Sequence, residues 1–164
     1  MDLPLGTPLR EGLKTGESDL LQIINNMNEK AFSGYIICTL ENQKGMEQGV
    51  LLFKKGAIAG AYYEFTTHGV QVSGDSAIRL VFNSFLAVKG IIDINSLTTQ
   101  QIDLITAFQE KILISEKIDM RKLEKIFPKA FNPQMIFQYV KPKQDETTRF
   151  EIFKRTGLVG VEEK

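Results

Sequence analysis

The sequence predicts an α+β fold: a small, mainly antiparallel sheet covered by helices, with a C-terminal helical extension. Residues 49–61, GVLLFKKGAIAGA, set two short apolar runs on either side of Lys54-Lys55-Gly56. Each run is too short and too interrupted by glycine for a helix, and a link ending in glycine marks a hairpin. The runs at 32–42 and 91–94 add further strand-like segments. Between and after them, apolar residues recur at helical spacing.

Taken in order, residues 1–16 hold two prolines and three glycines and are expected to form an irregular arm. Ser18 and Asp19 supply a capping oxygen and an acid for a helix over 18–29. Leu20, Ile23, Ile24 and Met27 form its buried stripe. FSGYIICTLEN (32–42) reads as an inner strand, apolar on both faces. The hairpin strands follow at 46–54 and 57–65. Residues 66–74 read as a polar loop.

Asp75 or Ser73 is expected to cap a helix over 75–89, with Gly90 as its stop. A strand at 90–95 comes next. Thr98 and Gln101 have the spacing of a capping box and open a helix over 98–116. A short helix over 119–127 ends at Pro128, and Asn132-Pro133 starts another that Pro142 ends. Residues 143–164 are a polar linker and a short tail helix.

This divides the chain into a domain over 1–116, an extension over 117–142 and a tail over 143–164. The 164 residues include 20 basic and 20 acidic side chains. Zero formal charge argues against a dedicated nucleic-acid or membrane-surface protein. No run is long enough to span a bilayer, and the first residues lack the pattern of a signal peptide. Cys38 is the only cysteine, which points to a buried thiol in a reducing cytoplasm.

No reaction is visible in the residues. One histidine, His68, and one cysteine show no metal-ligand spacing, so neither metal nor cofactor is expected. Ser33-Gly34 lacks the frame of a nucleophile elbow. Asp75 could pair with His68 as an acid–base unit, but helix capping is its simpler role. KKGAIAG is not a phosphate loop, because the order of glycine and lysine is wrong. Gly56 and Gly60 serve a turn and close backbone packing.

SDLLQII, FSGYI, GVLLFKKGAIAGA, GDSAIRLVFNSF and GIIDI occur in succession. In this order they resemble the PATAN-like signalling module. Phe53, Gly56, Ile58 and Ala61 sit at its hairpin positions, and Gly74, Asp75 and Ala77 at its helix start. LPLGTPL, FSGYI and IIDINSL resemble an uncharacterised archaeal family, the domain of unknown function numbered 2226. The resemblance covers roughly residues 1–115. It implies a cytoplasmic, non-catalytic module for protein interaction or scaffolding in signalling.

The candidate partner-binding residues are Tyr62, Tyr63 and Phe65 at one end of the sheet, Arg121 and Lys125 in a basic stripe, and Phe150 and Phe153 in the tail. The stripe, with Lys117 and Lys129, reads first as a solvated helix face and otherwise as an acidic-partner site. The three sheet aromatics are core if buried and a binding patch if exposed. The tail is expected to dock on another chain through its two phenylalanines. A homodimer is also expected. The alternatives are a small-ligand sensor with a pocket under 66–74, and an enzyme of unknown reaction.

Overall fold

The computed structural model describes residues 1, 3–42, 45–119 and 123–140. Its centre is a six-stranded sheet in which every neighbouring pair is antiparallel. The strands are β1 (Thr7–Lys14), β2 (Gly34–Asn42), β3 (Gly45–Lys54), β4 (Ala57–Phe65), β5 (Val70–Ser73) and β6 (Gly90–Ser96). Their order across the sheet is β1-β6-β2-β3-β4-β5, so the β3–β4 hairpin lies inside it. Among the described residues the α-helices are α1 (Leu20–Glu29), α2 (Asp75–Ser84), α3 (Thr99–Phe108) and α4 (Leu123–Ile126).

Strand alternation divides the apolar side chains between two cores. On one face, Ile36, Cys38, Leu51, Phe53, Ile92 and Ile94 meet α1 and α2. On the other, Tyr35, Val50, Leu52 and Tyr62 pack against Ile102 and Ile105 of α3. The second face is only partly covered: Met46 and Ile91 stay half exposed.

The hairpin strands end and begin where the sequence puts them, at Lys54 and Ala57. Lys54 pairs with Ala57, which leaves Lys55 and Gly56 as a two-residue turn. Both have positive φ, 49° and 81°, as a primed hairpin turn requires. Gly60 allows the close approach expected of it, since a Cβ there would sit 2.9 Å from the Ile112 carbonyl oxygen. Asp19 caps α1 by accepting the Gln22 N–H, and Thr98 with Gln101 forms the capping box of α3.

Several elements differ from expectation. The N-terminal arm contains β1, paired with β6. It gave no strand signal because it is exposed along nearly all its length and its register shifts twice, between Pro8 and Arg10 and between Arg10 and Leu13. The expected loop at 66–74 is a 3-10 turn followed by β5, which pairs with β4. Helix α2 stops at Ser84, and Gly90 opens β6 instead of ending a helix. Helix α3 ends at Phe108, because a 3-10 turn at Glu110–Ile112 carries Ile112 into the second core.

The extension is less helical than predicted. Among its described residues, Leu123–Ile126 is α-helical and Met135–Tyr139 is a 3-10 helix. Leu123 and Ile136 are buried in the same core as Ile36, so the extension helps to build that core.

Candidate functional site

The predicted aromatic patch does not form. Tyr63 and Phe65 point into the first core, while Tyr62 lies in the second and donates its hydroxyl to Glu64 at 2.8 Å. The reason is the period of two in β4: adjacent residues face opposite sides, and both sides are covered there. His68 stacks on Phe65 with ring centroids 4.2 Å apart.

The acid–base pairing of Asp75 with His68 is not made. The Asp75 carboxylate accepts the Ser115 backbone N–H, at 3.0 and 3.2 Å to its two oxygens. Nor is Asp75 the cap of α2; that position is Gly74, without a side-chain bond. Among the described residues, no group of three His, Cys, Asp or Glu side chains could hold a metal ion.

Of the described residues in the basic stripe, Lys125 lies on α4, while Lys117 and Lys129 lie outside any helix. Lys125 lines a groove of about 430 Å³ with Asp75, Arg79 and Glu116, where charges of both signs alternate. Beyond Arg79 lies a polar groove of about 540 Å³ that includes Ser76, Gln134 and Gln138. Its polar groups stand on an exposed rim. Arg121, Phe150 and Phe153 lie outside the described residues.

A small polar cluster is shut inside the first core. Glu47 accepts the Tyr63 hydroxyl. Ser84 hydrogen-bonds the Cys38 thiol and donates its own hydroxyl to the Val81 carbonyl at 2.6 Å. Burial, reinforced by the bond to Glu47, raises the Tyr63 pKa. Burial pushes the Cys38 thiol from its ordinary 9.0 up to about 12. The shift keeps the Cys38 thiol protonated, and a thiol must ionise to act as a nucleophile.

The sign of the pH effect follows from that shift. Between pH 9 and 12 the folded chain keeps a proton that the unfolded chain releases. The thiol's contribution is therefore intact below pH 9 and is lost as pH rises toward 12, at up to about 1.4 kcal/mol per pH unit. Cys38→Ala is expected to flatten this fall in denaturant titrations between pH 9 and 10. An equal slope in both proteins would contradict the assignment. Iodoacetamide should label Cys38 only on unfolding.

The surface that combines apolar contact with unneutralised charge lies elsewhere, between α1 and the edge strand β1. It is a groove of about 370 Å³ lined by Leu9, Arg10, Ile23, Asn26, Met27, Lys30, Phe32 and Ile94. Ile23, Asn26, Met27 and Lys30 follow the i, i+3, i+4, i+7 spacing, so one face of α1 forms a wall. Strand β1 supplies the opposite wall, and Ile94 of β6 lies at the floor. Leu9 is 52% exposed, and nearby Leu5 is 97% exposed. Arg10 and Lys30 make no ion pair among the described residues.

The sequence reading missed this site because it took the arm as irregular. Leu5 and Leu9, two of the four leucines in that proline-containing arm, are the available signal. No curated protein and no solved structure matches the chain. The profile of one family matches residues 1–109, which carry the whole sheet, α1, α2 and α3. The chain belongs to that family, described as "Uncharacterized protein conserved in archaea (DUF2226)".

Proposed function

We propose that the chain is a non-catalytic protein-interaction or scaffolding module in cytoplasmic signalling or regulation. The observation that carries this reading is the β1–α1 groove, with apolar walls and Leu9 open to solvent. Exposed apolar surface rimmed by polar groups is characteristic of protein-binding sites. The resemblance of the hairpin and the α2 start to the PATAN-like module supports a signalling role. Homodimerisation belongs to the same reading, and the half-covered sheet around Ile37, Met46 and Ile91 is the surface available to a second copy.

An enzyme is less well supported: the two strongly shifted groups, Cys38 and Tyr63, lie inside the core. A small-ligand sensor is also less well supported, since ligand sites enclose most of the ligand. The polar groups beside α2 stand on the rim instead.

The test uses three immobilised proteins and a lysate of the source organism. Leu9→Asp charges the groove wall. Leu104→Asp alters an exposed leucine on α3, away from the groove. The expected result is a set of proteins retained by wild type and by Leu104→Asp, and lost with Leu9→Asp. Equal retention by all three would remove the groove from the reading.

A further inference from the structure

Resting on the interaction reading, we infer that the partner enters the β1–α1 groove as an acidic peptide segment carrying a bulky apolar side chain. Among the described residues, two cations and no carboxylate line this groove. The chain as a whole has 20 basic and 20 acidic residues, so the excess is local. Glu29, the acid on α1, flanks the wall on its Asn26 side but does not line the groove.

The two cations differ in a useful way. Arg10 offers a planar fork that binds a carboxylate through two parallel hydrogen bonds. Lys30, at the C-cap of α1, is a point charge on a flexible stem. Between them, Ile23, Met27 and Phe32 offer apolar contact, and methionine adapts its shape to the side chain it meets. Recognition is therefore by carboxylates at the rim and one apolar anchor between the walls.

Strand addition along β1 is disfavoured. Pro8 has no N–H to donate, and the two register shifts bend the edge, both of which blunt pairing. A nucleic acid fits less well than a peptide. Its backbone needs a row of cations, whereas this groove has two, over an apolar floor.

The experiment pans a random twelve-residue peptide library against the intact chain and measures the affinity of enriched peptides by fluorescence anisotropy. Enrichment of peptides that join acidic residues to a bulky apolar residue is expected. Their affinity should fall about tenfold or more in Arg10→Glu/Lys30→Glu and weaken with added salt. It should also fall in Leu9→Asp. Circular dichroism melts of the variants are the control, and these exposed substitutions are expected to leave the fold intact. Peptides lost with Leu9→Asp but retained by the charge-reversal variant would overturn the acidic partner and leave the interaction reading standing. Enrichment of no peptide, or binding indifferent to all three substitutions, would overturn both. Displacement of the peptide by a single-stranded oligonucleotide at equal concentration would overturn the peptide in favour of a nucleic acid.

Discussion

Gly56→Val is expected to destabilise the protein by about 3–5 kcal/mol, combining backbone strain with overpacking. That corresponds to a melting temperature lower by on the order of 10 °C. Gly56 has φ of 81°, a region that β-branched residues avoid. A Cβ there would stand 2.6 Å from the Asn28 carbonyl oxygen and 3.0 Å from the Asn28 Cα. These are backbone atoms, which cannot rotate away as a side chain can.

The same turn is bonded to the loop after α1. The Gly56 N–H donates to the Phe32 carbonyl at 2.7 Å, and the Asn28 amide donates to the Gly56 carbonyl at 3.1 Å. Lys55 N–H donates to the Ser33 hydroxyl at 3.0 Å. The hairpin thus fixes the C-terminal end of α1, and α1 is one wall of the groove. Gly56→Val should therefore weaken peptide binding as well as stability. A thermal melt indistinguishable from wild type would show that the turn does not hold this conformation.

Asn83→Ala is expected to cost about 2–3 kcal/mol. The Asn83 side chain is buried on α2 and makes a two-bond clamp with the backbone of Asn132. Its amide donates to the Asn132 carbonyl at 3.0 Å, and its oxygen accepts the Asn132 N–H at 2.7 Å. Alanine removes both bonds and leaves a gap in the core. The adjacent Phe82 would still pack on Phe127, with ring centroids 5.0 Å apart. The loss should therefore concentrate beyond Phe127. Hydrogen exchange of amides in 132–140 is the discriminating measurement: faster exchange there is expected, with β2 and β3 changing only through the lower global stability. Wild-type exchange at 132–140 would contradict the clamp.

The parts of the fold legible in the sequence are those where burial writes a period into the chain. The stripe of Leu20, Ile23, Ile24 and Met27 announces α1, and the capping box at Thr98 and Gln101 announces α3. Strands β2, β3, β4 and β6 show because they are buried, and Gly56 marks the turn between two of them. Strand β1 left no such trace. It is held by main-chain pairing with β6 while its side chains face water, and main-chain hydrogen bonds carry no residue signature. Strand β5, four residues long, is similarly hidden in a polar stretch. Helix α2 was read too long because Phe85 and Ala87 are buried beyond its last turn. Apolar periodicity records burial, and burial outlasts the helix here.

The groove was illegible for the same reason as β1, since one of its walls is that strand. Its cations, Arg10 and Lys30, are 20 positions apart in sequence and meet only once β1 has paired with β6. The residues singled out from sequence, Tyr62, Tyr63 and Phe65, were conspicuous as a cluster. A strand distributes such a cluster between two faces, and both are covered at that point.

The most direct test of the interaction reading is site-specific photocrosslinking in living cells of the source organism. A photoreactive side chain replaces Leu9 in the groove wall or, as a control, Leu104 on α3. Discrete, higher-mass adducts are expected from position 9, absent from position 104 and abolished by Arg10→Glu/Lys30→Glu. Adducts from both positions alike, or none from position 9 at native expression, would contradict that reading.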